Sequence, residues 1–360
     1  MRICIDLTSL ADNFSGIERF ALSITKELIK NNDQEWILLF KNSIHKELNI
    51  DSANIRKIII KGNNKLIFNQ LILPLELLKI KADRYFFPAF PAPFFFFNKN
   101  SITTIHDLSC WDCPFSNKKH MILYFKIMYW KSSLSNKKIV TVSEFSKERI
   151  CSILQVKPQN IEVVYNGISE LFFKETSKID IYKKYNIPKK YLLCLSTLEP
   201  RKNLKLLIQA YNKTFYDLDI DLVLAGRKGW MMDDILNGLS KEVVNRIHFT
   251  GFIDDEDLPE IYRNATYFVF PSLYEGFGIP PLEAMATGTP VLSSDAASMP
   301  EVLGDAAFLF RNNDLNDLCD KLVFVLNDEI TEDIKKQCVK QAKKYSWTKS
   351  SIKLLKYICS

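Results

Sequence analysis

No stretch of this 360-residue chain is long and apolar enough to span a bilayer. The longest uncharged apolar run, Tyr85 to Asn98, covers 14 residues and holds three prolines. A spanning helix needs roughly 20 apolar residues. Met1-Arg-Ile-Cys-Ile-Asp6 puts an acid where the core of a secretory signal would run, so no such signal is expected. There are only four histidines, and the eight cysteines include a single C-x-x-C, Cys110 and Cys113, with no second pair at zinc spacing. This argues against a zinc module and reads as reduced cytosolic thiols. Internal repeats and low-complexity arrays are also lacking. What remains is 47% hydrophobic and 25% charged, as in a soluble globular protein, with length for two or three full cores.

The formal net charge of +6 is unevenly spread. Residues 1–170 carry 23 Lys and Arg against 16 Asp and Glu, whereas 171–360 carry 25 against 26. A basic N-terminal half suits an anionic partner such as a lipid diphosphate or a membrane surface. The segment from Asn117 to Lys138, where aromatics alternate with lysines at near-helical spacing, reads either as a helix lying on an anionic membrane or as a buried helix with snorkelling lysines.

Apolar strand-like runs alternate with helical patterns from end to end. The first series comprises Arg2–Asp6, Trp36–Phe40, Ile58–Ile60, Arg84–Phe87, Ser101–Ile105 and Lys138–Val142, with a helix over Gly16–Lys30. The pattern breaks near Leu171–Lys190. It then restarts with Tyr191–Ser196, a helix over Asn203–Phe215, and strands at Asp221–Ala225, Ile247–Thr250, Tyr267–Phe270 and Pro290–Ser293. Such alternation predicts parallel sheets covered by helices, and two series predict two doubly wound domains. The expected division is 1–170 and 171–345, with a terminal helix over about 346–360 packing back on the first domain. Ligands of such sheets sit beyond the carboxyl ends of the strands.

One segment stands there with unusual chemistry. After the strand ending at Phe270 come Glu275-Gly276-Phe277-Gly278, then Pro-Pro, then Glu283 in what reads as the first turn of a helix. A glycine loop before a helix start can cradle a phosphate with backbone N–H groups. Carboxylates on either side accept hydrogen bonds from hydroxyls. A phosphorylated, hydroxyl-rich ligand, a nucleotide-sugar, meets both demands. Arg201 and Lys202, after the strand and turn that end at Pro200, would face the same diphosphate. In the first series, Gly16 allows close backbone approach after strand one. His106 and Asp107 follow the strand ending at Ile105, one of them free to meet ligand while the other anchors the loop. The D-x-D acids Asp217, Asp219 and Asp221 precede a strand, so they read as turn acids, and no metal is expected.

The segment Glu275–Glu283 with its flanks resembles the E-x7-E motif of the retaining nucleotide-sugar glycosyltransferases of family 4, and is similar to that of bacterial surface-polysaccharide mannosyltransferases. The Ala-Met-Ala-Thr-Gly-Thr-Pro-Val run after Glu283, Met299-Pro-Glu, Leu198-Glu-Pro-Arg201-Lys202-Asn203, Ile105-His106-Asp107 and Val164-Tyr-Asn-Gly-Ile168 extend the resemblance over nearly the whole chain. It implies the GT-B fold, two Rossmann-like domains facing a central cleft, with the nucleotide-sugar donor in the second. It implies catalytic roles for Glu275, Arg201, Lys202 and His106. Donor contacts would come from Gly16, Glu275, Gly276, Phe277, Gly278, Glu283, Arg201 and Lys202, and acceptor-side contacts from His106 and Asp107. Glu283 is placed on the ribose and Glu275 on the transferred sugar. The family usually has more than one glycine in the first loop, where this chain has only Ser15-Gly16.

The implied activity moves a hexose, with GDP-mannose as first choice and UDP-glucose or dTDP-rhamnose types open, onto a glycan or lipid-linked oligosaccharide during O-antigen or capsule synthesis. It needs no cofactor and no nucleic-acid partner. The implied place is the cytoplasm, peripheral at the inner face of the plasma membrane. A nucleotide-sugar epimerase of the same architecture and a non-catalytic binder are the rival readings.

Overall fold

Runs of Ile, Leu, Val and Phe become strands buried on both faces, which in a parallel sheet is what near-continuous apolar sequence encodes. The computed structural model describes residues 1–10, 16–116, 118–135, 138–174, 180–195, 199–226 and 235–360. Ser15, Asn117, Asn136, Lys137, Ser196 and Leu198, which entered the motifs and elements above, lie outside the described residues. Two units emerge, Met1–Gly167 together with Ser346–Ser360, and Ile168–Tyr345.

The first unit is built on seven parallel strands: β1 (Arg2–Asp6), β2 (Glu35–Lys41), β3 (Ile55–Ile60), β4 (Arg84–Phe87), β5 (Ser101–Thr104), β6 (Lys138–Thr141) and β7 (Ile161–Val163). Their order is β3-β2-β1-β4-β5-β6-β7. Ile3 aligns with Trp36 on one side and Arg84 on the other, so the direction of winding reverses between β1 and β4. That reversal is the switch point at which such sheets open a crevice. Helix α1 (Gly16–Leu28) follows β1 and buries Phe20 and Ile24. A helical run begins at Lys65, where the Asn64 side chain accepts from the Leu66 and Ile67 amides. It widens by a π-turn over Phe68–Ile72 and continues as α2 (Leu73–Lys79). Helix α3 spans Lys119–Ser135, and α4 (Glu144–Leu154) starts at Ser143, whose hydroxyl caps the Ser146 amide.

The second unit repeats the design with β8 (Tyr191–Leu195), β9 (Asp221–Ala225), β10 (Ile247–Gly251), β11 (Tyr267–Phe270), β12 (Val291–Ser294) and β13 (Phe308–Phe310). All are parallel in the order β10-β9-β8-β11-β12-β13, with the switch between β8 and β11. Its helices include α5 (Leu204–Thr214), α6 (Leu258–Arg263), α7 (Ile279–Ala286), α8 (Met299–Leu303), α9 (Leu315–Asn327) and α10 (Glu332–Ala342). Leu207 and Tyr211 of α5 and Leu318 and Leu322 of α9 belong to one buried cluster with the sheet residues Leu222 and Val269. The last helix, α11 (Trp347–Cys359), returns to the first unit. There Ser350 Oγ, Lys353 Nζ and Tyr357 Oη donate to the carbonyls of Tyr165, Val163 and Asn160 at 2.6, 2.7 and 2.6 Å.

Two strands were absent from the sequence expectation. Both β7 and β13 are edge strands of three residues, too short to show a period. The turn acids behave as structure: Asp221 opens β9 and accepts from Arg246 Nε at 2.6 Å and His248 Nε2 at 2.7 Å.

Candidate active site

Past the end of β8, a single 3-10 turn carries Arg201 and Lys202, and Asn203 closes it in the left-handed conformation at φ 52°. Past the end of adjacent β11 runs the loop Pro271–Gly278. Backbone and side chain lock the two together. The Leu273 amide donates to the Arg201 carbonyl at 2.8 Å, and Arg201 Nη1 donates to the Tyr274 carbonyl at 2.7 Å. The expected loop and the expected cations are therefore brought together, 73 and 74 residues apart in sequence.

Glu275 sits at their meeting point, 8% exposed. Its Oε2 accepts from Arg201 Nη1 at 3.0 Å, and its Oε1 from Lys202 Nζ at 2.7 Å and Ser272 Oγ at 2.5 Å. Burial would raise the pKa of this carboxyl. The Arg201 and Lys202 charges, with the Lys202 and Ser272 hydrogen bonds, outweigh burial and hold it down to about 2. Lys202 Nζ also lies 5.4 Å from the Phe270 ring centroid, within cation–π range.

A chain of serines supports the loop from beneath. Ser294 Oγ, at the end of β12, donates to the Ser272 carbonyl at 2.5 Å, and Ser298 Oγ to the Glu275 carbonyl at 3.0 Å. These residues escaped the sequence reading; the one available signal was the three-residue spacing of Ser272 from Glu275. Gly278 has φ 92°, and a Cβ there would overlap Met299 Cε at the start of α8. Phe277 is buried and meets the Tyr345 ring edge-on at 5.4 Å.

Helix α7 begins at Ile279, so Pro280 and Pro281 occupy its first turn, where a missing N–H costs nothing. Glu283 is thus its fifth residue, in the second turn rather than the first as expected. It is buried, and its Oε2 accepts from Tyr262 Oη of α6 at 3.2 Å. That bond anchors one oxygen of the carboxylate.

In the first unit, His106 follows β5 and is buried. Its Nε2 is 2.8 Å from the Pro88 carbonyl, which can only accept, so the Nε2–H tautomer is assigned and Nδ1 is an acceptor. Burial lowers its pKa, against smaller opposing effects from Pro88, Asp107 and Glu18. Its ring meets Phe20 of α1 edge-on at 5.1 Å, coupling it to the helix that Gly16 opens. Asp107 Oδ1 accepts from the Ser109 amide at 2.9 Å and so anchors the loop. Half-buried Asp6, at the end of β1, was not singled out from sequence. Its Oδ1 accepts from the Thr8 hydroxyl at 2.7 Å and the Thr8 amide at 3.0 Å, and burial raises its pKa above the usual range.

Both units match known protein families. Residues 177–345 match the family model "Glycosyl transferases group 1", and residues 14–170 match "Glycosyltransferase Family 4". The chain is 34% identical over 257 residues to O-antigen chain mannosyltransferase B of Escherichia coli, covering 69% of this chain and 67% of that protein. It is 30% identical over 219 residues to O-antigen chain mannosyltransferase RfbU of Salmonella typhimurium, covering 60% of this chain and 58% of that one. Among solved structures, Anabaena HepE in complex with UDP and glucose superposes with a TM-score of 0.75 at 15% identity, over 100% of this chain and 99% of that one; this likeness speaks to fold alone. With its two Rossmann-like units and both family models matched, the chain belongs to glycosyltransferase family 4, and it is a hexosyltransferase of GT-B fold.

Proposed function

We propose that the protein transfers mannose from GDP-mannose, with retention of configuration, to a glycan or lipid-linked oligosaccharide in the assembly of a surface polysaccharide such as O-antigen or capsule. The observation that carries this reading is Glu275, held ionised between Arg201 and Lys202 beside the Gly276–Gly278 loop. The mannose choice is supported by the names of the two mannosyltransferase relatives.

The roles follow from donor arithmetic. A guanidinium has five N–H donors and an ammonium three, and an ionised carboxylate has about four acceptor sites. Arg201 and Lys202 can therefore keep Glu275 and still meet a diphosphate. Exposed Glu199 also lies 3.8 Å from Arg201 Nη2, so two carboxylates balance the two cations, and the directed N–H donors of the cluster rather than a net positive charge suit it to an anionic leaving group. Glu275, acceptor-only at neutral pH, accepts hydrogen bonds from hydroxyls of the transferred sugar. Glu283 serves the ribose, with Tyr262 fixing its orientation. As the bond from the anomeric carbon to the diphosphate breaks and that carbon bonds to the acceptor oxygen, charge grows on the leaving phosphate. The acceptor proton passes to that phosphate. Arg201, Lys202 and the loop amides stabilise the growing charge in place. His106 Nδ1 accepts a sugar hydroxyl, Asp107 holds the acceptor-side loop, and Gly16 allows close backbone approach to the diphosphate. No metal or cofactor enters this scheme, and an anionic membrane facing the basic half, at the cytoplasmic side, completes the partners.

The test supplies GDP-mannose, UDP-glucose and dTDP-rhamnose in turn, with and without lipid-linked acceptor, and reads anomeric configuration of the product by NMR. Mannose transfer with retention is the expected result. Transfer from another donor alone would discard mannose, and isomerised donor without transfer would favour an epimerase.

A further inference from the structure

Thirteen of the twenty large apolar side chains exposed among the described residues fall between Leu66 and Leu134. They are not scattered. On α3 the exposed positions Leu123, Ile127, Trp130 and Leu134 follow spacings of four, three and four, a single stripe along the helix. That stripe is the outer face, where a soluble helix ordinarily carries charge. On the helical run 65–79 the exposed positions Ile67, Leu71, Leu75 and Leu78 form a second stripe, with Leu78 70% exposed. Between them, Phe95 and Phe97 stand out at 58% and 68% while Phe96 is buried.

The three elements meet at Gln70. Its Nε2 donates to Tyr124 Oη of α3 at 2.9 Å, and its Oε1 accepts from the Phe94 amide at 2.9 Å. Lys131 ties α3 to the aromatic loop by donating to the Pro93 and Phe96 carbonyls at 3.0 and 2.8 Å, with its ammonium 5.1 Å from the Phe97 ring centroid. The stripes are thus adjoining parts of one face, larger in character than the isolated apolar residues a soluble surface tolerates.

Charge selects the occupant. Helix α3 carries exposed Lys119 and half-buried Lys126, with Lys131 buried against the aromatic loop, and no acid. The run 61–81 carries four lysines and one acid, Glu76, which Lys79 pairs at 2.7 Å. A second copy seated here would set lysine against lysine. An anionic bilayer meets both demands at once: the apolar stripes enter the acyl boundary and the exposed lysines, Lys61, Lys65, Lys79, Lys81 and Lys119, remain among the headgroups. No helix among the described residues is long and apolar enough to cross a membrane, which leaves lying on the surface as the mode of contact.

We propose that this face, formed by the run 65–79, the loop 94–97 and α3, docks the first unit on an anionic lipid bilayer by shallow insertion. The proposal deepens the membrane partner named above, yet its readout needs neither donor nor acceptor, so it can fail without touching the sugar-transfer reading. The test is sedimentation of the full chain with vesicles of phosphatidylglycerol mixed into phosphatidylcholine, and of phosphatidylcholine alone. The wild type is expected to pellet with the anionic vesicles and to lose most binding on the neutral ones. The variant Leu123→Gln, Trp130→Gln, Leu134→Gln keeps helix-forming residues at exposed sites and should partition at least about tenfold less. A second variant, Lys119→Gln with Lys126→Gln, should weaken binding to anionic vesicles without altering the weak binding to neutral ones. Unchanged hydrogen-exchange protection of the β1 and β4 amides certifies the fold of the first unit in each variant. Wild type that stays in the supernatant, or binding indifferent to the apolar variant, overturns the proposal. So does a dimer in sedimentation equilibrium that the apolar variant dissociates, which would give the face to a second copy.

Discussion

Replacing Glu275 by Gln keeps the shape of the side chain and removes its charge, leaving Arg201 and Lys202 facing a neutral amide. The magnitude can be worked from the pKa. A carboxyl that falls from its ordinary 4.5 to about 2 on folding contributes stability above 4.5 and loses it as pH falls toward 2. At 1.36 kcal/mol per unit, the contribution is about 3 kcal/mol at pH 7 and falls to about 1 kcal/mol by pH 3. Only 11% of the side chain is exposed, so solvent screening takes little from these values. The size agrees with the 3–5 kcal/mol that breaking a buried pair generally costs. Native-state hydrogen exchange, read on the slowest amides of β8 and β11, reports the second unit separately from the first. The wild type should exceed Glu275→Gln by about 3 kcal/mol near neutrality, and the gap should shrink steadily on acidification. A gap absent at pH 7, or one that widens in acid, would refute the assignment of Glu275 as an ionised partner of both cations. The same variant separates binding from transfer: with their carboxylate removed, the cations should hold a nucleoside diphosphate at least as tightly, while sugar transfer is lost.

Arg201→Ala should weaken nucleoside-diphosphate binding by roughly 10- to 100-fold, the value of a lost charged hydrogen bond, measured by isothermal titration calorimetry. Gly278→Ala meets both a positive φ and Met299, and should destabilise the second unit by about 1–3 kcal/mol; trimming Met299 to Ala beside it should recover only the steric part. Burial lowers the His106 pKa from 6.5, so NMR titration of its ring should show a midpoint below that value. Because the unfolded chain then binds the proton more readily, the first unit should lose stability as pH falls from 6.5.

The strands easiest to read were those fully buried in mid-sheet, such as Ile3-Cys4-Ile5 and Tyr267–Phe270, where continuous apolar sequence between turn residues admits few other readings. Edge strands β7 and β13 were missed because three residues hold no pattern. At the site, Arg201, Lys202 and Glu275 were read from sequence as separate ligand candidates; that they grip one another depends on how β8 and β11 lie side by side. Ser294 and Ser298 were invisible for the same reason, since their value lies in carbonyls more than twenty residues away. Helix α3 defeated periodicity in another way. With apolar residues on both faces, its sequence gives no direction, and only packing shows which stripe is left outside.

The return of α11 to the first unit sets an order of events during synthesis. Residues 168–345 are contiguous and hold every strand of their own sheet. The first unit does not: the carbonyls of Asn160, Val163 and Tyr165, and the space beside Gly167 where a Cβ would overlap Trp347, all await residues 346–360. The half of the protein made first is therefore the half that finishes last. A ribosome that stops just short of Ser346 releases a complete second unit attached to an incomplete first one.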